Sequence, residues 1–323
     1  EVDGIRRPLT LWNIAQSEPA TPSDGLAGGH EVFEGHAVDA SLRQGCALVS
    51  GRFIIPACGF HCPDGRSGIR TVAAAGEREV TDDVFAPLRT PLCDLLGCDV
   101  PILLAGMGGV ARWELAAAVA AAGGYPTLGM VRESPELIES EVAALRAATD
   151  RSFAVNIIPA ATRPDLLDAQ IGRCLEIGVG AFSFFWDVVP QAVERVKAAG
   201  CLVLHQVGTV QAAREAEAAG ADVLIAQGIE AGGHVHGRIG AFALAADLLR
   251  EARVPVVIAG GIVDGAGLAA ALAMGAAGVS CGTAFIATEE SFAHPYHKGR
   301  IVESGAADTI LTDVFVLNWP AEA

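Results

Sequence analysis

Short apolar runs alternate with amphipathic stretches along the chain from about residue 87 to residue 291. Glycine or proline bounds most of the runs, a pattern typical of buried strands in a parallel sheet. Eight such runs begin near Val100, Gly124, Ser152, Gly180, Cys201, Asp222, Pro255 and Gly278. Seven intervening stretches have helical periodicity, and the sequence predicts helices over residues 111–122, 135–149, 164–177, 190–199, 211–219, 241–253 and 265–274.

Several of these stretches also carry local signals for the start and end of a helix. Ser134 precedes Pro135, so the serine can cap a helix whose first turn contains the proline. Gly200 and Gly220 follow two of the helical stretches, where glycine commonly terminates a helix. The boundaries of the elements are therefore predicted by chemistry as well as by period.

Eight strands joined by helical crossovers imply parallel strands with right-handed connections. A closed eight-stranded barrel and an open doubly wound sheet both satisfy this pattern. The count of eight favours the barrel, as does the lack of a Gly-x-Gly-x-x-Gly sequence after the first strand. The sequence therefore predicts an α/β protein with a TIM-type (β/α)8 barrel.

Residues 1–86 lack a sustained period and are rich in glycine, proline, serine, threonine and aspartate. We predict that they form an N-terminal extension, partly irregular, and that residues 87–323 form the barrel. Cys46, Cys58 and the adjacent pair His61 and Cys62 suggest a zinc site. Their spacing is poor and no second Cys-x-x-Cys follows, so we expect no metal.

The formal net charge of −16 is unfavourable for binding nucleic acid or anionic membranes. Apolar stretches such as residues 115–122 are too short to cross a bilayer, and Glu1 does not begin a recognisable secretory signal. The eight cysteines are spread over a chain too large for a disulfide framework, which indicates reduced thiols. We expect a cytoplasmic protein that acts on small molecules.

Glycine and polar residues cluster where the predicted strands end, which is the face on which such barrels place their chemistry. The residues at these ends are Ala105, Gly106, Met107, Asn156, His205, Gln206, Gln227, Gly232, His234, Gly260, Gly261, Ser280, Cys281, Gly282 and Thr283. The glycine turns after strands seven and eight are where barrels commonly bind a phosphate. Lysine and arginine are missing from both turns, so backbone N–H groups would hold the phosphate.

Asn156 and Gln227 can donate and accept hydrogen bonds at once, which suits the pyrimidine edge of a flavin better than a metal ion. A phosphate site beside a ring that amide side chains hydrogen-bond indicates a mononucleotide cofactor. FMN has both a phosphate and such a ring. Met107, Phe184 and Trp186 are predicted to line the pocket. Between Gln227 and His236, we expect Glu230 to fix the turn by local hydrogen bonds and His236 to be solvated.

The residues from Pro101 to Thr312 resemble the nitronate monooxygenases, formerly called 2-nitropropane dioxygenases, which are FMN-dependent barrel enzymes. The matching motifs are Ala105-Gly106-Met107-Gly108-Gly109, Val155-Asn156, Gln206-Val207-Gly208-Thr209, Gln227-Gly228-Ile229-Glu230-Ala231-Gly232-Gly233-His234, Ala259-Gly260-Gly261-Ile262 and Gly282-Thr283-Ala284-Phe285. The resemblance implies FMN contacts at Ala105, Gly106, Met107, Asn156, Gln227, Gly232, Gly260, Gly261, Gly282 and Thr283. It also implies that His234 is the catalytic histidine.

The resemblance implies oxidation of alkyl nitronates, and of nitroalkanes, by O2. The related flavin-dependent enoyl reductases share the Glu-Ala-Gly-Gly-His stretch and the segment Ala293-His294-Pro295, so NAD(P)H-dependent reduction of an enoyl thioester is an alternative. Gln206, Gln227 and residues 308–312 favour the nitronate reaction. A non-catalytic flavin-binding barrel is a third hypothesis. The family pattern also implies an incomplete C-terminal cover over the barrel mouth and is compatible with a homodimer.

Overall fold

The computed structural model describes residues 88–315. It contains eight strands, and each predicted apolar run contains one of them. The strands are β1 (Ile102–Leu104), β2 (Thr127–Gly129), β3 (Ala154–Ile157), β4 (Ala181–Phe185), β5 (Leu202–Val207), β6 (Val223–Gln227), β7 (Val256–Ala259) and β8 (Gly278–Cys281). Residues 1–87 and 316–323 lie outside the described part, and so does the cysteine cluster from Cys46 to Cys62.

Helices follow the strands in alternation, as predicted. They are α1 (Pro91–Leu96), α2 (Trp113–Ala121), α3 (Pro135–Ala148), α4 (Pro164–Glu176), α5 (Pro190–Ala198), α6 (Val210–Ala219), α7 (Ala241–Glu251), α8 (Gly265–Ala273), α9 (Thr283–Ile286) and α10 (Pro295–Glu303). The Ser134 side chain accepts a hydrogen bond from the Leu137 N–H at the start of α3, as its position before Pro135 predicts. Helices α1, α9 and α10 were not predicted.

All paired strands are parallel, and their order around the sheet is β1-β8-β7-β6-β5-β4-β3-β2. A parallel bridge between Leu103 and Tyr125 joins the two ends of this sheet. The Leu104 N–H donates to the Tyr125 carbonyl, and the Tyr125 N–H donates to the Ile102 carbonyl, each over 2.9 Å. The sheet therefore closes on itself, which confirms the (β/α)8 barrel and excludes the open doubly wound alternative.

Successive side chains of each strand point to opposite faces of the sheet, so the barrel has two cores. The inner core includes Leu103, Leu204, Ile225 and Val257. The outer core lies between strands and helices. Helix α1 belongs to the inner core through Leu92, Cys93 and Leu96, so it plugs the end of the barrel opposite the carboxyl ends of the strands.

The described residues also bear on two expectations from the sequence, the one about membrane spans and the one about reduced cysteines. Between residues 88 and 315, no helix combines the length and the apolarity needed to cross a bilayer. Five cysteines within this range are buried and form no disulfide, as reduced thiols would.

Candidate active site at the carboxyl ends of the strands

Four of the predicted polar residues face the interior of the barrel at the carboxyl ends of their strands, and one of them is Gln206, two residues after the inner-core Leu204. Ile225 belongs to the inner core, and Gln227 follows it by two residues, so Gln227 points inward. The same alternation turns Asn156 and Ser280 inward. The Asn156 and Gln227 side chains and the Ser280 hydroxyl thus form a polar layer above the apolar inner core.

Asn156 and Gln227 are each 4% exposed. Among the described residues, the nitrogen of each amide has a hydrogen-bond partner and the oxygen does not. The Asn156 Nδ2 donates to the Ser183 carbonyl over 2.9 Å, and the Gln227 Nε2 donates to the His234 carbonyl over 2.8 Å. Neither side-chain oxygen has a hydrogen-bond partner among residues 88–315, although both are buried. A buried acceptor without a donor costs about 1–3 kcal/mol, so both positions favour a ligand that donates hydrogen bonds.

Glycines bring the predicted cofactor residues into one continuous arc. A Cβ placed on Gly106 would overlap the Asn156 side chain. A Cβ on Gly282 would lie 3.3 Å from the Met107 sulfur and 3.4 Å from the Ala105 Cβ. A Cβ on Gly232 would overlap the Thr283 hydroxyl. The loops after β1, β6 and β8 therefore meet one another and the end of β3, and glycine allows these close approaches.

The turn after β7 completes the arc. Gly260 and Gly261 have φ values of 123° and 67°, a region that side chains other than glycine rarely adopt. A Cβ on Gly260 would lie 3.4 Å from the Ala231 nitrogen, and one on Gly261 would lie 3.5 Å from the Glu230 Cγ. The strand-seven turn is thus packed against the loop that carries His234.

Cys281 differs from its neighbours in the predicted cofactor set. Its side chain points into the outer core, where burial raises the pKa of the thiol to about 11. The Cys281 carbonyl accepts a hydrogen bond from the Ala105 N–H over 2.9 Å. Cys281 can therefore act at the mouth through its backbone, while its thiol packs among helices.

His234 lies half-buried in the loop between β6 and α7. Its Nε2 is 3.0 Å from the Phe315 carbonyl, and since a carbonyl can accept but not donate, Nε2 carries the proton. Burial lowers the pKa of His234, the contact with Phe315 opposes this shift, and the positive charge of Arg132 adds to it. The imidazole is thus held in its neutral form near pH 7.

The loop that carries His234 is fixed at several points. Both Glu230 carboxylate oxygens accept from the Ala241 N–H, at 2.9 and 3.1 Å, which confirms the local role predicted for Glu230. Gly237 lies so close to Gly208, in the loop after β5, that a Cβ on either would overlap the other's main chain. These contacts fix the loop that carries the histidine.

His236 is not the solvated neighbour that the sequence predicts. Its Nε2 is 2.9 Å from an Asp187 carboxylate oxygen, and its ring packs edge-on against Trp186 with 4.9 Å between centroids. Asp187 follows the carboxyl end of β4 by two residues. The pair therefore ties the loop after β6 to the loop after β4.

An apolar wall occupies the side of the mouth formed by the loops after β2, β3 and β4. It consists of Ile158, Phe185 and Trp186, with Val131, Ala160 and Ala161 packed against them. The predicted lining residue Trp186 belongs to this wall. Phe184, also predicted there, instead points into the outer core, because it is one residue out of phase with Phe185 along β4.

His205 also points away from the mouth, although it lies at the end of β5. The side chain is 1% exposed and sits edge-on to Phe184 in the outer layer. Burial lowers the pKa of His205 to about 4, so the ring is neutral at physiological pH. His205 is a packed core histidine.

Two further cavities lie away from this site. One, of about 480 Å³, opens between α6 and α7 beside Arg214 and Glu251. The other, of about 280 Å³, opens beside α1 and Tyr125 at the opposite end of the barrel. The predicted site residues line neither of them, and the chemistry-bearing groups converge on the strand ends instead.

The sequence-based prediction missed Arg132 and Asp187, which the structure places at the rim of the mouth. Both follow the carboxyl end of a strand by two or three residues, after β2 and β4. The predicted set of strand ends left out exactly these two strands. Extending the same rule to all eight strands would have found both residues.

The model of the nitronate monooxygenase family matches residues 89–316, and the chain belongs to this family of flavin-dependent oxidoreductases. A 5-hydroxy-7a-methyl-1-oxo-octahydro-1H-indene-4-carboxyl-CoA dehydrogenase from Mycobacterium tuberculosis is 37% identical over 70% of this chain and 63% of that protein. The nitronate monooxygenase from Paraburkholderia phytofirmans is 36% identical over 68% of this chain and 72% of that protein.

Among solved structures, FabK from Thermotoga maritima is similar with a TM-score of 0.66 and 39% identity, covering 69% of this chain and 71% of that one. The chain spans a little under two thirds of the length of the first of these relatives. The predicted family and the assignment to the enzymes are thereby confirmed.

Proposed function

We propose that this chain catalyses the FMN-dependent oxidation of alkyl nitronates by O2. The observation that carries the proposal is the pair of buried, unpartnered amide oxygens, Asn156 Oδ1 and Gln227 Oε1, in the mouth that holds His234. The ring N–H of a flavin is a donor for such an oxygen, while the two NH2 groups stay bonded to the Ser183 and His234 carbonyls. The family match supplies the reaction class.

The glycine arc supports FMN as the form of the flavin. Gly260, Gly261 and Gly282 expose backbone at the turns after β7 and β8, where barrels commonly bind a phosphate. The Thr283 hydroxyl, beside Gly232, adds a donor at the same place. Ala105, Gly106 and Met107 lie between this end of the arc and Asn156, so one mononucleotide spans the arrangement.

Bound FMN supplies the electron-transfer and O2 chemistry, while the protein supplies position, charge and a dry pocket. A nitronate already carries its negative charge on the two nitro oxygens, and the wall containing Phe185 and Trp186 excludes water from its alkyl part. With a neutral nitroalkane, His234 takes the α-proton. Because Nε2 bears the proton in the contact with Phe315, Nδ1 is the basic nitrogen of the neutral ring.

Reduction of an enoyl thioester is the second candidate. It is favoured by the CoA-linked substrate in the name of the Mycobacterium tuberculosis relative. Both candidates need a flavin, so the purified protein should be yellow or should become so with added FMN. NADH consumption that depends on crotonyl-CoA would support the thioester reaction, whereas oxygen uptake with a nitronate in the absence of NADH supports the proposal.

A further inference from the structure

Two non-glycine residues between positions 88 and 315 have φ in the left-handed region, Arg132 at 57° and Trp186 at 77°. Each such residue costs on the order of 1 kcal/mol or more and persists where the surroundings hold it. Arg132 follows the carboxyl end of β2, and Trp186 follows that of β4 directly. Both strained positions therefore lie at the mouth, on the side of the apolar wall.

Arg132 is fastened to the edge of that wall. Its Nε donates a hydrogen bond of 2.8 Å to the carbonyl of Ala161, at the end of the short helical turn Pro159–Ala161. Ala161 and Val131, the residue before Arg132, both pack against the wall. The guanidinium is therefore held at the boundary between solvent and an apolar surface, although the arginine as a whole is exposed.

The position of Arg132 matters because of its charge. The chain carries a formal net charge of −16, so its overall electrostatic potential is negative. The guanidinium of Arg132 places a positive charge at the rim of the mouth, against that potential. Arg132 is near enough to His234, in the loop after β6, for its charge to contribute to the lowered pKa of that histidine. The wall also adjoins the histidine loop, because the ring of Trp186 packs against His236, two residues after His234, with 4.9 Å between centroids.

We propose that Arg132 and the apolar wall form the subsite that selects the substrate, an anion with a hydrocarbon body. Arg132 attracts the planar anionic head, and Ile158, Phe185 and Trp186 receive the alkyl part. The inference rests on the proposed function, since an alkyl nitronate is such an anion. It makes Arg132 a specificity-determining residue, whose loss weakens binding of the anion and leaves the proton-transfer role of His234 in place.

Equilibrium binding of an unreactive stand-in tests the subsite without turnover. Butanoate has the planar anionic head and alkyl chain of a short nitronate, and butanamide has the same shape without the charge. Calorimetric titration of the FMN-loaded protein should show butanoate binding that falls about tenfold in Arg132→Gln. Arg132→Lys should recover part of the loss, and butanamide binding should be the same in all three proteins.

Arg214→Gln is the matched control. Arg214 pairs with Glu251 over 2.7 Å on the outer surface of the barrel, where an exposed ion pair contributes little to stability. Butanoate affinity should be unchanged in this variant. Equal affinity in wild type and Arg132→Gln would overturn the subsite, and so would a wild type that binds butanoate no better than butanamide.

The same proteins separate this inference from the proposed reaction. Absence of nitronate oxidation together with Arg132-dependent butanoate binding would remove the reaction and support the anion subsite. Nitronate oxidation together with butanoate binding that does not depend on Arg132 would support the reaction and overturn the anion subsite.

Discussion

Gln227 donates a hydrogen bond from Nε2 to the main-chain carbonyl of His234 over 2.8 Å. The residue predicted to contact the flavin ring therefore also positions the residue predicted to act on the substrate. Its other amide atom, Oε1, is buried without a partner in the described part of the chain. One side chain thus links the predicted cofactor site to the histidine loop.

The variant Gln227→Glu tests this link. An ionised carboxylate cannot donate to the His234 carbonyl, so the loop should shift and the buried charge should disfavour flavin binding. We expect flavin retention to fall and turnover to drop about tenfold or more. The ratio of visible flavin absorbance to protein absorbance measures retention. Gln191→Glu, on the exposed first turn of α5, should retain flavin like wild type, and equal retention in both variants would contradict the link.

The pH dependence of nitroalkane oxidation reports the environment of His234. Burial and Arg132 lower the pKa of this histidine, and a general base acts in its neutral form. Activity should therefore persist below the ordinary histidine pKa of about 6.5 and fall only at lower pH. The acid limb of kcat/KM for a neutral nitroalkane checks this.

Arg132→Gln should move the acid limb of kcat/KM to higher pH, because the substitution removes a positive charge that lowers the pKa of His234. His234→Ala should abolish the limb and lower the rate by about 10²-fold or more. An acid limb that stays in place when His234 is replaced would assign the titration to another group.

Close backbone packing at Gly106 gives a steric prediction. A methyl group at this position would overlap the Asn156 side chain and displace its amide, so Gly106→Ala should weaken FMN binding. The strain is worth about 1–3 kcal/mol. Gly299→Ala is the control, because a Cβ there meets no atom of the described residues within 4 Å. FMN titration by fluorescence quenching should separate the two variants, and unchanged affinity in Gly106→Ala would refute the packing argument.

Much of this architecture could be predicted because local patterns and tertiary structure agree. The run beginning at Asp222 contains β6, and the glycines around Gly232 mark the loop that follows it. Buried parallel strands need continuous apolar runs, and tight approaches need glycine, so both leave a signal in the sequence. For the same reason, the sequence could predict which residues form the arc of predicted cofactor contacts.

The errors have equally specific causes. Phe184 and Phe185 are both apolar, so composition could not decide which of them faces the mouth, whereas the pleat of β4 does. Helix α1 is six residues long, too short to show a period. The partner of His236 is Asp187, distant in sequence, and no local pattern predicts a contact across two loops.

His205 gives a prediction for stability. Burial lowers its pKa to about 4 in the folded protein, whereas an unfolded chain has a value near 6.5. Between these values the unfolded state binds more protons, so the free energy of unfolding falls as the pH drops from about 6.5 toward 4. The full effect is roughly 3 kcal/mol, and about 2 kcal/mol of it should be lost by pH 5.

Urea unfolding of wild type and His205→Phe at pH 7 and pH 5 isolates this contribution. The variant keeps an aromatic ring beside Phe184 but cannot titrate, so its stability should fall less between the two pH values. Equal losses in the two proteins would show that His205 is not the group responsible.

Oxygen uptake with propyl-2-nitronate, in air and without NADH, tests the central claim most directly. The FMN-loaded protein should consume oxygen in proportion to the nitronate supplied, and Gln191→Glu should do the same. A yellow, folded protein that consumes no oxygen with the nitronate, yet oxidises NADH when crotonyl-CoA is added, would contradict the proposed reaction.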